Sequence, residues 1–415
     1  MPTGDIQAGR FWRLLMELAE FTDPDQPWTR QAFTARHAEG RRWLKERMQE
    51  LKLEVSVDPA GNLCGRRPGT DPKLGAIAIG SHSDTVAGGG RFDGIAGIIA
   101  GLEIVASLND RGRTLRHPLE VIDFLAEEPN EFGLSCIGSR GVAGALTEDM
   151  LDRSNAHGTT LRAALPGLGA KPGPIASAVR RDLAAFFELH IEQGPILEHE
   201  GLDVGIVTHI VGIRRLAISF KGQAAHAGTM PLTLRQDALI AASRFVVELR
   251  AALDARSEPG FVIGTVGDLK VIPNAPNVVP GEVNLIVDLR SDRSEYLSTW
   301  TERLKALAGR CAEQSKVALA RFDVLSASEP APCAAALSAE LRASADASGL
   351  KQRDMVSGAG HDCAFVSRVA PAAMLFVPSV KGLSHCAEEW TEPEAFAKGV
   401  GTLMRAVESY DARQH

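Results

Sequence analysis

Residues that can bind metal ions recur at five places along the chain, most of them directly after a short apolar run. Histidine nitrogens and carboxylate oxygens are ligands that divalent metal ions use in proteins. Because open α/β sheets place their ligand sites at the carboxyl ends of their strands, we expect these side chains to converge. They lie in the segments GSHSDT at 80–85, GGGRFDG at 88–94, AEEP at 126–129, HIEQGP at 190–195 and SH at 384–385.

Three histidines and two carboxylates drawn from these segments fit a pair of divalent ions. In such a pair the ions lie ~3.5–4 Å apart, one carboxylate bridges them, and each ion also binds histidine. A mixed nitrogen and oxygen set admits zinc, manganese, cobalt or nickel and does not choose among them. Within the first segment, Asp84 stands two residues after His82, where it is placed to hold the other nitrogen of the histidine ring.

Each segment also has an ordinary explanation when it is taken alone. A single histidine is more often structural, paired glutamates usually form a solvated surface, and a glycine run is usually a loop. The glycine-rich segment is not a phosphate-binding loop, since neither G-x-x-x-x-G-K-[ST] nor G-x-G-x-x-G after a strand is present. The recurrence of five such segments at predicted strand ends is what favours a metal centre.

The elements around these segments alternate between strands and helices, which is typical of a mixed, mostly parallel sheet flanked by helices, an α/β fold. The predicted strands cover residues 53–57, 63–64, 76–79, 119–125, 184–189 and 372–377, and the predicted helices cover 11–20, 31–51, a stretch ending near 108, and 334–347.

The middle of the chain has a different order, βαββαβ, which predicts a small ferredoxin-like α+β domain. Its predicted elements are residues 213–220, 236–253, 261–271, 282–290, 292–315 and 317–325. We therefore expect a catalytic domain in two segments, 1–211 and 329–415, interrupted by a lid or dimerisation domain at 212–328.

Composition excludes several classes of partner. The 415 residues include 45 Lys and Arg against 52 Asp and Glu, a net charge of -7, so no basic surplus is available to neutralise nucleic acid or an anionic membrane. No apolar stretch reaches the ~20 residues that span a bilayer. The first residues given do not show the charged start, apolar stretch and small-residue cleavage site typical of a secretory signal, and the six cysteines have no C-x-x-C spacing. We expect a cytoplasmic protein with mostly buried thiols.

Taken in order, the motifs resemble those of the hydantoinase/carbamoylase branch of the aminoacylase/carboxypeptidase-type dinuclear metallopeptidases. The segment H-x-E-Q-G-P is the most specific to this branch, because related peptidases usually have an aspartate or glutamate where His190 stands. The motifs are GSHSDTVAGGGRFDG, FLAEEPNEFGLSCIGSRGVAG, ELHIEQGP, GQAAHAGTMP, PNAPNVVPGEVNLIVDLRS, GAGHD and GLSHCAEEW.

The resemblance implies a role for each residue near the ions. Asp84 would orient a histidine, and Glu127 would be the general base that takes a proton from water and passes it to the leaving nitrogen. The ligands would be His82 and His190 on one ion, Glu128 and His385 on the other, and Asp93 on both.

It also implies residues that bind the substrate. In the inserted domain, His226 would face the transition state, while Asn277 and Arg290 would clamp the substrate. Arginine's planar fork suits a carboxylate bidentately, which lysine would not. Gln193 is placed to contact a ureido group, and the same motifs suggest contributions from Gly360 and His361.

The expected reaction is hydrolysis of a linear C–N bond in a small ureido or amido carboxylate, with an N-carbamoyl-L-amino acid as the leading substrate. Allantoate amidohydrolase and β-ureidopropionase are alternatives. An aminoacylase or dipeptidase is more distant because of His190 and the segment that follows it, and Glu127 argues against a catalytically silent metal-binding scaffold. The resemblance further implies a homodimer, to which the helix at 236–253 would contribute an apolar face.

Two positions depart from the family pattern. Glu131 stands where many family members have arginine, which bears on the substrate accepted. Ser83 replaces an apolar residue between His82 and Asp84, which we interpret as a packing detail. Neither position belongs to the ligand set.

Overall fold

The computed structural model describes residues 6–170 and 173–413. The strands are β1 (Glu54–Val57), β2 (Leu63–Arg67), β3 (Ala76–His82), β4 (Leu119–Phe124), β5 (Leu183–Ile191), β6 (Val204–Ile210), β7 (Gly212–Lys221), β8 (Ala225–His226), β9 (Val262–Ile272), β10 (Val278–Val279), β11 (Glu282–Ser291), β12 (Ala318–Ala327), β13 (Ala331–Pro332), β14 (Gln352–Ser357) and β15 (Ala372–Val377). The helices are α1 (Ala8–Ala19), α2 (Ala35–Glu50), α3 (Ile95–Asp110), α4 (Ile137–Val142), α5 (Glu148–Leu151), α6 (Leu161–Ala164), α7 (Ile196–Glu200), α8 (Ala238–Asp254), α9 (Ser294–Gln314), α10 (Ala335–Ala347), α11 (Cys363–Val366) and α12 (Pro393–Ala412).

The larger sheet has the strand order β1-β2-β4-β3-β5-β15-β6-β13, with β14 paired to β6. Its four central strands, β4-β3-β5-β15, run parallel, whereas the pairs β1–β2, β2–β4 and β15–β6 are antiparallel. Strands β3, β4 and β15 are buried along their whole length, as apolar runs in parallel sheets are. The predicted mixed sheet, parallel at its centre, is confirmed.

Helices pack against this sheet, and the buried apolar side chains between them form one continuous core. The core joins side chains of α1, α3, α10 and α12 to those of the central strands, for example Leu15, Ile99, Leu403 and Ile79. Helix α3 is almost wholly apolar, and its one buried charge, Glu103, forms an ion pair with Arg10 in α1. A second cluster surrounds the segment after β4 and includes the residues Leu125, Phe132, Ile137, Leu151 and Leu161.

The chain divides into two compact units. One contains the described residues up to Thr208 together with Pro332–Ser357 and those from His361 onward, and the other contains His209–Ala331 and Gly358–Gly360. In the second unit, β7, α8, β9, β11, α9 and β12 follow the order βαββαβ, and an antiparallel sheet β12-β7-β11-β9 results. This is the ferredoxin-like arrangement, and it has its own core of buried apolar residues.

Several elements were not predicted from the sequence. They include β6, β14, the short ribbon β8–β10 and the long C-terminal helix α12. Helix α12 begins with Pro393, which is favourable at a first helical position because its missing N–H has no intrahelical partner there. Among the described residues, no helix is both long and apolar enough to span a bilayer.

Candidate active site

Four neighbouring parallel strands bring the predicted metal ligands to one edge of the larger sheet. His82 is the last residue of β3, and His190 lies next to the last residue of β5. Glu128 follows β4, and His385 lies in the loop that follows β15. Because the apolar bodies of these strands fix their register, the polar residues at their ends are held close to one another.

Asp93 lies at the centre of the cluster. Its Oδ1 is 3.1 Å from Nε2 of His190 and 3.9 Å from Nε2 of His82. Its Oδ2 is 2.9 Å from Nε2 of His385, and that nitrogen is 3.3 Å from Oε1 of Glu128. One carboxylate therefore faces two histidines with one oxygen and a histidine–glutamate pair with the other.

The donor atoms fit metal ions. The five predicted ligands form two groups, and within each group the atoms all lie within 4.8 Å of one another: His82, Asp93 and His190 in one, and Asp93, Glu128 and His385 in the other. Asp93 belongs to both groups, which is the arrangement that a bridging carboxylate requires. Imidazole nitrogens with carboxylate oxygens suit divalent transition metals. The structure thus brings together all five residues that the sequence analysis selected as ligands.

Asp84 contacts this cluster differently from the expectation. Nδ1 of His82 is 3.0 Å from the backbone carbonyl oxygen of Asp84 and 3.6 Å from its carboxylate. The Asp84 carboxylate instead accepts hydrogen bonds from the backbone N–H groups of Glu127 and Glu128, at 3.2 and 3.1 Å. Asp84 therefore orients the imidazole chiefly through its main chain, while its side chain fixes the segment that carries both glutamates.

Glu127 lies next to the candidate ligands. Its Oε2 is 3.8 Å from Nε2 of His82, and it does not belong to either ligand group. Burial raises the pKa of this carboxyl well above its usual range, against an opposing effect of His82. The buried thiol of Cys136 lies 3.4 Å from Oε1 of Glu127, and the backbone N–H of Cys136 donates to the Glu127 carbonyl oxygen. Sequence reasoning assigned Cys136 no role, because a lone cysteine carries no spacing signal.

Gln193 and His385 complete the centre from strained backbone positions. Nε2 of Gln193 donates to Oδ2 of Asp93 at 3.0 Å, so its side-chain amide supports the central carboxylate. Hydrogen bonds to Asp93 and Glu128 raise the pKa of His385 to about 11, so its proton must leave when an ion binds. The site also holds several non-glycine residues with positive φ, a costly conformation that clusters at functional sites: Ala126, Cys136, Gln193 and His385.

His361, an expected substrate contact, is buried behind His190. Its ring lies edge-on to the ring of His190, with centroids 4.6 Å apart, and its Nε2 is 2.8 Å from Oγ of Ser357. Glu188 is close to both histidines, but its carboxylate already accepts hydrogen bonds from Ser81 and from the backbone N–H of Cys363. These contacts support the position of His190.

The other expected substrate-binding residues belong to the second unit. His226 is exposed on β8, where the ribbon pairs it with Val278, and Asn277 directly precedes β10. Arg290 on β11 donates to the Asp288 carboxylate through Nε and Nη2 and to the carbonyl oxygen of Gly358 through Nη1. Gly360 follows in the same short segment.

Glu131 is exposed in the loop after β4. Its Oε2 accepts a hydrogen bond of 2.9 Å from Nδ2 of Asn155. Glu131 belongs to none of the metal-competent groups found among the described residues.

With this geometry established, comparisons with known proteins identify the family. Residues 78–409 match the model of peptidase family M20/M25/M40. The chain belongs to this family. This M20 family member is 40% identical over 408 residues to the N-carbamoyl-L-amino-acid amidohydrolase of Paenarthrobacter aurescens, an alignment that covers 98% of each chain. It is 35% identical over 377 residues, 90% of each chain, to the allantoate amidohydrolase of Bacillus subtilis (strain 168).

Among solved structures, this M20 family member is similar to an amidase of the hydantoinase/carbamoylase family from Burkholderia multivorans. The TM-score is 0.93 at 37% sequence identity, and the match covers 99% of both chains. The branch to which the motifs pointed is therefore confirmed.

Proposed function

We propose that the protein hydrolyses the carbamoyl C–N bond of N-carbamoyl-L-amino acids. The observation that carries this proposal is the group of three histidines and two carboxylates around Asp93, with Glu127 beside it. The nearly full-length similarity to an N-carbamoyl-L-amino-acid amidohydrolase supports the substrate class. The products are the L-amino acid and a carbamate, which breaks down to ammonia and carbon dioxide.

The proposed cofactor is a pair of divalent ions, drawn from zinc, manganese, cobalt and nickel. When bound, such ions act as Lewis acids that acidify water and polarise the substrate carbonyl. His82 and His190 would hold one ion, Glu128 and His385 the other, and Asp93 would hold both.

The protein's own groups then move the proton. Glu127 accepts a proton from the attacking water and donates it to the leaving nitrogen, which departs as the free amine of the amino acid. Burial of Glu127 raises its pKa, which suits a group that must hold the proton between these two steps. The hydrogen bond from Cys136 keeps one carboxylate oxygen engaged, so that the other faces the centre.

Arg290 is the proposed anchor for the substrate carboxylate. Its contacts with Asp288 and Gly358 use three of the five N–H donors of a guanidinium, and the two that remain are available to a carboxylate. In the same proposal Asn277 assists this anchor, His226 donates to the developing oxyanion, and Gln193 contacts the ureido group. Gly360 would line the same site, whereas His361 would act by supporting His190.

The proposed assembly is a cytoplasmic homodimer formed through the second unit. Strand β9 is an edge of its sheet and carries Ile263 and Ile272, which are 46% and 47% exposed, and α8 carries Val247, which is 68% exposed. Exposed apolar side chains at a sheet edge favour association with another chain. Sedimentation should give twice the chain mass, and Ile263→Lys should give a monomer. A monomeric unsubstituted protein would contradict the dimer.

The substrate is tested by release of ammonia. Protein loaded with manganese, cobalt or zinc would be assayed against N-carbamoyl-L-amino acids, β-ureidopropionate, allantoate and N-acetyl amino acids. The highest kcat/KM is expected with an N-carbamoyl-L-amino acid. Preference for allantoate or β-ureidopropionate would move the assignment within the branch, and absence of both metal and turnover would favour a silent scaffold.

The base is tested by Glu127→Gln, which keeps the shape of the side chain and removes the proton acceptor. We expect metal content to be unchanged and kcat to fall by about 10²–10⁴-fold. Glu148→Gln is the control, because Glu148 is an exposed glutamate at the start of α5 that pairs with Arg162, and this variant should keep normal metal content and kcat. Full activity in Glu127→Gln would show that another group is the base.

A further inference from the structure

Glu389 is a buried carboxylate that the proposed reaction does not use. It lies in the loop before α12 and has no exposed surface. Its Oε1 accepts hydrogen bonds from the backbone N–H groups of Phe92 and Asp93, at 2.7 and 3.2 Å. Its Oε2 accepts a hydrogen bond of 2.7 Å from Oγ of Ser384. One side chain therefore joins the backbone that carries Asp93 to the residue that precedes His385.

The glycine-rich segment is shaped around this carboxylate. A Cβ atom on Gly90 would overlap the carboxylate carbon and both oxygens of Glu389, so only glycine leaves room for it there. Next to it, the Arg91 guanidinium lies over the ring of Trp28, 4.2 Å from its centroid, and 5.6 Å from that of Trp390. The loop that follows β15 and the segment before α3 are thus held together at adjacent positions.

Glu389 is not itself among the candidate ligands. Neither ligand group of the described residues includes it, and both of its oxygens already accept hydrogen bonds. Its effect is on the two ligands that it connects: Oδ2 of Asp93 and Nε2 of His385 lie 2.9 Å apart. Because the buried Glu389 carboxylate accepts hydrogen bonds from two backbone N–H groups and a hydroxyl, it fixes the two loops that carry Asp93 and His385. The positions of these loops set the separation of the two ligands.

We propose that Glu389 is a positioning residue that sets the distance between Asp93 and His385, and thereby the affinity of the ion that these two residues share. The inference rests on the metal centre of the proposed function. Two residues of the GLSHCAEEW motif would then serve the metal centre in different ways. His385 would be a ligand, and Glu389 would hold the loop of His385 next to the backbone of Asp93.

The test compares metal binding by three variants. Glu389→Ala removes the acceptor, whereas Glu389→Gln keeps a carbonyl oxygen for the two N–H groups and an amide that can donate to Ser384. Asp411→Ala is the matched control, because the buried Asp411 carboxylate likewise accepts from two backbone N–H groups, those of Arg116 and His117, but belongs to none of the metal-competent groups of the described residues. Metal per chain and cobalt titrations followed by visible absorption are the readouts.

We expect Glu389→Ala to weaken binding of one of the two ions by about 10–100-fold and to lower kcat more than it raises KM. Glu389→Gln and Asp411→Ala should stay within threefold of the unsubstituted protein in metal affinity. Unchanged affinity in Glu389→Ala, or an equal loss in Asp411→Ala, would overturn the inference. If Glu389→Ala does not fold, Ser384→Ala replaces it in the test. Ser384→Ala should then bind one of the two cobalt ions more weakly than the unsubstituted protein. Unchanged cobalt binding would overturn the inference.

The same measurements separate this inference from the proposed function. Failure of the unsubstituted protein to bind metal would contradict the metal centre itself. Normal binding by the unsubstituted protein, with normal binding by Glu389→Ala, would contradict only the role of Glu389.

Discussion

Substitution of Gly94 by alanine should damage the metal centre through a direct collision with His82. Gly94 directly follows Asp93 and has φ of 70°, a conformation that costs a residue with a side chain about 1–2 kcal/mol or more. A Cβ atom there would lie 2.5 Å from both Nδ1 and Cε1 of the His82 ring. Because non-bonded carbon atoms lie about 3.5–4.0 Å apart, the ring must move by ~1 Å.

A displacement of that size sets the expected losses of turnover and of metal affinity. A shift of ~1 Å in a reacting group costs about 10²-fold in turnover, and disturbed ligand positions cost about 10–100-fold in metal affinity. Each tenfold loss corresponds to about 1.4 kcal/mol. Gly112→Ala is the matched control, because Gly112 also has positive φ, of 60°, but no atom of the described residues lies within 4 Å of its added Cβ.

The assay measures metal affinity, kcat and thermal stability for both variants. Gly112→Ala should lose stability and keep normal metal binding and turnover, whereas Gly94→Ala should lose all three. If Gly94→Ala bound metal and turned over like the unsubstituted protein, His82 would not be a fixed ligand, and the reasoning from its geometry would be refuted.

Three further predictions address the substrate anchor, the ions and the core. Arg290→Lys should raise KM for carboxylate substrates at least tenfold with little change in kcat, because lysine lacks the planar fork; an unchanged KM in steady-state kinetics would remove the anchor. Treatment with a chelator should abolish turnover and lower the melting temperature, because a ligand that binds the native state stabilises it. Added manganese, cobalt or zinc should restore both, and a chelated protein that stays active would contradict a metal requirement. Arg41→Met should cost about 3–5 kcal/mol of stability, because it removes the ion-pair partner that lies 2.9 Å from the buried Asp123 carboxylate; a loss below about 1 kcal/mol in denaturant unfolding would refute that.

The sequence was most informative where a polar residue ends an apolar run. His82 and His190 could be selected because each interrupts a buried strand, and parallel strands end at one edge of the sheet. Asp93 and His385 carry a weaker pattern and depended on the resemblance to a known family. Their positions in space follow from loop conformations, such as the positive φ of His385, that no periodicity reveals.

Contacts between distant segments could not be predicted in the same way. Glu389 lies far along the chain from Phe92, and hydrogen bonds from a side chain to a distant backbone leave no repeat in the sequence. For the same reason the carboxylate of Asp84 was expected on a histidine, although it accepts from the backbone of Glu127 and Glu128. Helix α12 was missed because no helix was predicted beyond the strand at 372–377.

Anomalous diffraction from crystals of the manganese-loaded protein tests the central claim most directly. We expect two peaks ~3.5–4 Å apart, with the side chain of Asp93 between them, His82 and His190 on one ion, and Glu128 and His385 on the other. A single ion, or ions bound away from Asp93, would contradict the dinuclear centre on which the proposed function depends.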